Sequence, residues 1–428
     1  MTFTRSVTLS LISRGATIAI GLASSVITAR WLGPDGRGLL AILSVLTGLA
    51  LQFGNLGLHS GNIYYVAREP GRAGAVLGNA FWLSLALGIA SGAIACGVAV
   101  ARPAWFPGIP FGLILLTAGT LPFQFMIFYF QNALLGLHEV AAFNVFETAN
   151  KGITFALLAA YLVLLGGGAP GAVVLFAGMG AAFGLASVAY CRRRVRFAWR
   201  FDAGLFREML GFGGRVYVAC LLAFVVLRSD MLLVNYFLGA AAAGVYSITV
   251  QIADTLLLVP VTVGMLLFPR VAAESPDRRE IFTARVTRHT ALLLSLLCVA
   301  AWVLAGPVIG ALYGPGFAGA VAATRWLLPG VWALGINGIL MNHFGGQGMP
   351  PVTIVAPFAG AVLNLGLNAL LLPRQGLVGA SIASTVAYGA MLLVSLSAFL
   401  KSGKVGLRDS LLIEPGEILG MLRAPGQG

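Results

Sequence analysis

The residues of this chain equipped for chemistry are those that interrupt its apolar runs. Arg14, Lys151, Arg215 and Arg228 each stand inside a stretch that otherwise reads as lipid-facing helix. An ionisable group there costs about 2.5–3.5 kcal/mol on insertion scales, so it normally faces protein or a water-filled cavity. Cations so placed suit an anion such as a diphosphate. Arg14, Lys151 and Arg215 fall near the cytoplasmic ends of their stretches, in the inner half of a bundle, where such a group is first captured. The competing readings are local: packing or snorkelling for the arginines, and for Lys151 an ion pair with Glu147, four residues earlier in the favoured helical order.

A second constellation is built of oxygen. Asp230, Asn364, Asn368, Ser381 and Thr385 fall at similar depths from the opposite end of their runs, and each Asn and Ser/Thr pair is spaced i,i+4 on one helix face. One carboxylate, two amide carbonyls and two hydroxyls are hard ligands that suit Na⁺; polar bonding between helices is the alternative and stays open. Asp254 reads as near mid-bilayer, so it either pairs with a cation or takes a proton. Na⁺ or H⁺ is thus the expected coupling ion, with no other cofactor. His59, His138, His289 and His343, near the ends of runs, read as interfacial, and Trp31, Trp105, Trp302, Trp326 and Trp332 as interface anchors or packing.

The elements that must position these residues follow from composition. Hydrophobic residues make up 59% of the 428 positions and charged ones 10%, where soluble domains carry roughly 25% charged. The solvent is lipid. Of the 27 basic residues, 24 are arginines scattered between apolar runs, which argues against a nucleic-acid partner. Cys96, Cys191, Cys220 and Cys298 show no CxxC and no nearby His pair, so neither disulfides nor zinc are indicated. Paired carboxylates, a nucleophile motif and a Walker loop are all missing from the sequence, and no outer loop is long, which reads as no enzyme.

Runs of the roughly 20 residues that cross a bilayer occur at 8–30, 39–65, 75–101, 111–132, 143–165, 170–191, 211–238, 242–268, 288–312, 322–345, 350–372 and 377–400. The first continues past Arg14, as a retained span does and a cleaved signal does not. Eighteen Lys and Arg, including Arg5, Lys404 and Arg423, fall on the side of the termini, against five on the other, Arg37 among them; both termini are expected in the cytoplasm. The halves align. Leu32-Gly33 and Gly38 lie over Leu238-Gly239 and Gly244 at an offset of 206, Asn132 and Gly136 over Asn342 and Gly346 at 210, and Gly168-x-x-Gly171 over Gly376-x-x-Gly379 at 208. The expected fold is an all-α polytopic membrane protein with twelve spans in two parallel six-helix repeats, 1–205 and 206–428 with a short cytoplasmic tail, around a central cavity.

Several segments resemble one family. AxxLGPxGRG after the first run, LxSDxxLVxxFLGxxAAGxYS from Leu227 to Ser247, LFPRVA at Leu267 to Ala272, Leu327 to Gly330, and Leu363 to Thr385 are similar to Wzx-type polysaccharide flippases. That family shares a superfamily with lipid II flippases and multidrug antiporters. The resemblance implies translocation of a polyprenyl-diphosphate-linked oligosaccharide from the cytoplasmic to the outer leaflet of the inner membrane, by a monomer that hands its cargo to a polysaccharide polymerase. Resemblance to the lipid II branch also implies a sodium site on the seventh, eleventh and twelfth spans, although a second carboxylate expected there is Asn here. The alternatives are a cation-coupled drug antiporter or a lipid II flippase on the same scaffold. An antiporter of cationic drugs wants intramembrane carboxylates in excess, and the inner half of this chain carries cations.

Overall fold

In a membrane core every backbone N–H and C=O must be paired within the chain, and a helix does that alone. The computed structural model describes residues 3–401 and 405–412, among which there are helices and turns and no strand. At 3–12, 60, 212, 215, 216, 276 and 277 it describes the backbone only, so Lys404, Arg423 and the side chains of Arg5 and Arg215 lie outside the described residues. The helices are α1 (Phe3–Gly54), α2 (Leu58–Arg68), α3 (Ala73–Ala101), α4 (Phe111–Gly136), α5 (Val140–Ala159), α6 (Ala169–Arg194), α7 (Ala203–Ala273), α8 (Pro276–Tyr313), α9 (Gly319–Gly346), α10 (Val352–Leu400) and α11 (Leu407–Leu411). Eight of these helical stretches are long and apolar enough to cross a membrane. Three of the eight, α1, α7 and α10, are broken by a glycine; counting both arms of each, and adding α5, gives the twelve expected rods.

The breaks occur where a chain must reverse without leaving helical register for long. Gly33 (φ 65°, ψ −174°) and Gly239 (φ 84°, ψ 175°) adopt the same conformation, one essentially reserved for glycine because any Cβ clashes there. They are the pair aligned at an offset of 206. Close by, the two breaks cross. A methyl group at Gly38 would run into Ala240 O, and one at Gly244 into Pro34 O, two contacts related by that same offset. Arg37, which the sequence places in an outer connection, lies instead on the second arm of α1 and pins the crossing. It donates to Ser25 Oγ (3.1 Å) and Thr28 Oγ1 (2.7 Å) on the first arm and to Ser247 Oγ (3.0 Å) on α7.

Other features repeat as well. Asn132 Nδ2 donates to Phe128 O (2.6 Å) and Asn342 Nδ2 to Gly338 O (2.9 Å). The aligned glycines serve equivalent contacts, Gly136 admitting Ile63 O and Val66 where Gly346 admits Phe268 O and Val271.

Two boundaries depart from the sequence reading. The second span ends at Gly54, not near residue 65, because Leu56 and Gly57 take positive φ and the chain restarts as α2. That break lets Gly57 and Gly213 meet backbone to backbone: a Cβ on the former would stand 2.6 Å from Gly213 O, and the reverse 2.5 Å. The ninth span begins at Pro276 as part of α8, since the charged 276–287 segment stays helical beyond its apolar run.

The chain forms two compact units, Met1–Ser247 with Leu312–Gly316, and Ile248–Ala311 with Phe317–Gly428. In the first, α4 packs on α3 and α6, and α5 on α1, over a core of Phe125, Tyr129, Phe130 and Leu134. In the second, α9 packs along α10.

Gly38→Ala should be severely destabilising, because the obstacle is backbone that has no rotamer to yield. Gly97, with open space around it, is the control: Gly97→Ala should be neutral or stabilising by about 0.5–1 kcal/mol. Thermal unfolding of the two purified variants, followed by monodispersity on gel filtration, compares them; equal melting temperatures would contradict the crossing.

Candidate functional site

The first unit holds a partly open cavity of about 440 Å³. Both arms of α1 contribute, Ser24 from one and Ser44 and Thr47 from the other, because the Gly33 break lays them side by side. Thr117, Thr120 and Gln124 enter from α4, Asn150, Lys151 and Thr154 from α5, and Phe176 and Gly180 from α6. Gly180 makes room for the amide: a Cβ there would lie 2.6 Å from Gln124 Nε2.

The wall has a definite polarity. Ser44 Oγ donates to Leu40 O (2.8 Å), Thr47 Oγ1 to Leu43 O (2.9 Å), Thr120 Oγ1 to Thr117 O (2.7 Å), and Thr154 Oγ1 to Asn150 Oδ1 (3.4 Å). Their hydrogens are spent on their own helices, so each hydroxyl keeps lone pairs to accept with. Lys151 is the one charged side chain among the lining residues, and no carboxylate is among them. Its Nζ donates to Glu147 Oε1 at 3.3 Å, as the i,i+4 spacing predicts. An ammonium has three donors, so this bond leaves capacity for a ligand. Such a wall can hold a group rich in hydroxyl donors and, near Lys151, an anion.

The other expected cargo residues are placed differently. Arg14 is exposed on α1, six residues before the lining residue Ile20 and about 9 Å along the helix from it. Arg228 is half-buried on α7 and is not part of the wall, and only the helical backbone of Arg215 is described.

The oxygen ligands divide between the two units. Asp230, buried in the first, accepts from Tyr246 Oη (2.9 Å) and Met231 N (2.8 Å). In the second, the arms of α10 on either side of Gly376 bring together Asn364, Asn368, Ser381 and Ser384, all fully buried. Asn364 Nδ2 donates to Ser384 Oγ (3.1 Å), and Asn368 Nδ2 to Asn364 O (2.8 Å) and Oδ1 (3.1 Å). Asn368 Oδ1 and Ser381 Oγ have no hydrogen-bond partner among the described residues. Thr385 instead donates to Trp326 O (2.7 Å); Ser384, unmarked by the i,i+4 reading, joins the cluster. Asp254 is half-buried on the second arm of α7.

The family described as polysaccharide biosynthesis protein matches residues 27–322. The chain belongs to that family. The succinoglycan biosynthesis transport protein ExoT of Rhizobium meliloti is 26% identical over 399 residues, covering 91% of this chain and 75% of that protein. An uncharacterised membrane protein of Methanocaldococcus jannaschii is 23% identical over 263 residues, 60% of this chain; the match spans about half, 49%, of the archaeal relative. Among solved structures, the inward closed lipid II flippase MurJ superposes with a TM-score of 0.74 at 13% identity, covering 98% of this chain and 94% of that one. An inward-facing multidrug resistance MATE family transporter of the MOP superfamily also gives 0.74 at 14% identity, covering 90% and 94%. The chain therefore shares the fold of these two transporters, and it is a multi-pass membrane protein.

The structure also relocates one of the histidines that the sequence places at the interface. His343 is buried, not interfacial: its Nδ1 meets Thr283 Oγ1 at 2.8 Å, its Nε2 meets Gln347 Nε2 at 2.7 Å, and Phe399 stands edge-on to its ring. Thr283 Oγ1 donates onward to Arg279 O (2.8 Å), so the bonds close when the Nδ1–H donates and Nε2 accepts, the neutral ring. Only the i,i+4 spacing to Gln347 could have signalled it. His343→Ala should destabilise by about 2–4 kcal/mol through unpaired buried groups and a cavity, read as a lower melting temperature; an unchanged one would rule out a structural role.

Proposed function

We propose that this protein flips a polyprenyl-diphosphate-linked oligosaccharide from the cytoplasmic to the outer leaflet of the inner membrane, as a step in making a surface polysaccharide. The observation that carries the reading is the wall of the first-unit cavity: acceptor hydroxyls and amides with Lys151 and no carboxylate. A sugar offers many O–H donors to such acceptors, and an anionic substituent or phosphate pairs with the ammonium. A lipophilic cationic drug meets no opposite charge there, which disfavours the antiporter alternative. The description of ExoT as a transport protein of succinoglycan biosynthesis supports the same cargo class. Orientation rests on the charge count, with both termini cytoplasmic. Release in the outer leaflet supplies a polymerase acting there.

Coupling to Na⁺ is part of the proposal. The two unpaired buried oxygens on α10, Asn368 Oδ1 and Ser381 Oγ, are of the kind a small hard cation takes, and Asn364 is bonded to the first of these residues. The cation would supply only a gradient-dependent bias between states; the side chains of α10 hold it.

Deleting the gene should leave a single polyprenyl-linked oligosaccharide accumulated on the inner leaflet, identified by lipidomics, with no gain in sensitivity to cationic drugs. Lys151→Gln, expressed at wild-type level, should lower polysaccharide export about tenfold, since a hydrogen bond to a charged group is worth about 1.5–3 kcal/mol. Heightened drug sensitivity with normal lipid-linked intermediates would favour the antiporter instead. For coupling, Ser381→Ala should abolish any Na⁺-dependent thermal stabilisation of the purified protein; a shift retained at wild-type size would exclude this cluster.

A further inference from the structure

The segment 195–202 joining α6 to α7 is a strap fixed to α3. Two glycines one turn apart admit its backbone: a methyl group at Gly74 would run into Arg196 O, and one at Gly78 into Ala198 O. Ala198 N donates to Gly74 O (3.0 Å), and Trp82 Nε1 to Trp199 O (2.7 Å). Asn79 clamps the far end, its Nδ2 donating to Asp202 O (2.8 Å) and its Oδ1 accepting from Asp202 N (2.8 Å). Phe197 stacks on Phe130 with centroids 5.6 Å apart, and Trp199 meets Phe81 edge-on at 5.4 Å. The backbone of this strap is therefore set by burial and hydrogen bonds, although its surface is exposed.

What it exposes is basic and aromatic. Some of the nearby arginines are occupied: Arg72 with Glu69 and Glu208, Arg194 with Glu139, and Arg192 over the Trp199 ring at 5.3 Å. Arg193, Arg196 and Arg200 are exposed and form no ion pair among the described residues. Trp199 stays 46% and Phe201 40% exposed beside them. An indole that is half seated and half free fits the headgroup layer, where amphipathic rings collect, and the planar guanidinium fork fits two oxygens of one phosphate. Both features sit where the α6 rod ends, at the boundary between the apolar span and the basic stretch.

We propose that this strap is a binding site for anionic phospholipid headgroups, with Arg193, Arg196 and Arg200 taking the phosphate and Trp199 and Phe201 lying among the acyl-chain ends. It holds the first unit to the charged leaflet independently of the cargo cavity. Positive loops in general steer insertion; this one is also rigid, which a topology signal does not require.

The test uses the full-length protein purified in detergent doped with equal amounts of phosphatidylglycerol and phosphatidylcholine, with retained lipid quantified by mass spectrometry after gel filtration. Wild type should retain phosphatidylglycerol preferentially. The triple Gln variant of Arg193, Arg196 and Arg200 should lose on the order of 100-fold in relative retention, and the triple Lys variant should keep part of it. The triple Gln variant of Arg278, Arg279 and Arg285 should keep most of it. Gly78→Ala, which displaces the strap with every arginine still present, should also lose the preference. Because that change can destabilise, Arg200→Gln alone serves as the mild variant and should lose several-fold. No preference in wild type, no change in the strap variants, or an equal loss in the Arg278, Arg279 and Arg285 variant would overturn the proposal, the last by showing a diffuse charge effect.

Discussion

The crossing of Gly38 with Gly244 is the contact on which the first unit depends. In lipid a chain can reverse only where its polar backbone is still paired or shielded by protein. Gly33 and Gly239 supply the reversals, and the two glycines five residues further on let the broken helices touch through backbone atoms. Close contact of this kind gains dispersion energy and excludes lipid, the usual basis of helix association in membranes. Arg37 adds direction: three hydroxyls from two helices converge on one guanidinium. The cavity follows from the same break, since Ser24 and Ser44 share its wall only because α1 folds back on itself at Gly33.

A lysine within an apolar span is costly unless something compensates for it, and here Glu147 supplies part of that compensation. Glu147 is bonded to Lys151, which lines the cavity, but is not itself among the lining residues. The pair lowers the cost of keeping the charge in a span when no ligand is present. The same logic separates the first unit's Asp230, whose carboxylate is engaged by Tyr246 and a backbone amide, from the α10 cluster, where two buried oxygens remain unpaired.

Much of the scaffold was legible in the sequence because membrane folding leaves few options. Apolar run length counted the rods, and the glycine alignment located the paired breaks, since no other residue tolerates that conformation. Lys151 was legible as a polar interruption bonded to Glu147. The second boundary misplaced by hydropathy, 276–287, is helical for reasons of propensity that apolar runs do not register. Arg37, Ser384 and His343 were missed because their partners come from distant segments or from the unexpected side of a helix, and spacing along one run carries no information about that. Thr385 shows the converse: i,i+4 spacing put it on the same face as Ser381, yet its hydroxyl is drawn to Trp326 O.

The superposition on MurJ and on a MATE transporter with the same TM-score of 0.74 shows how little the fold says about cargo. A fold match reports packing and the arrangement of rods, scaffold properties indifferent to what a cavity holds. Cargo has to be argued from wall chemistry, and the deciding feature is where hydrogens point. Serine and threonine in a helix can satisfy their donors on the preceding turn at small cost to the helix, and Ser44, Thr47 and Thr120 do so. A wall made this way is acceptor-rich without being anionic. Such a wall suits donors such as sugar hydroxyls, whereas carboxylates, which accept equally well, would add an attraction for cations.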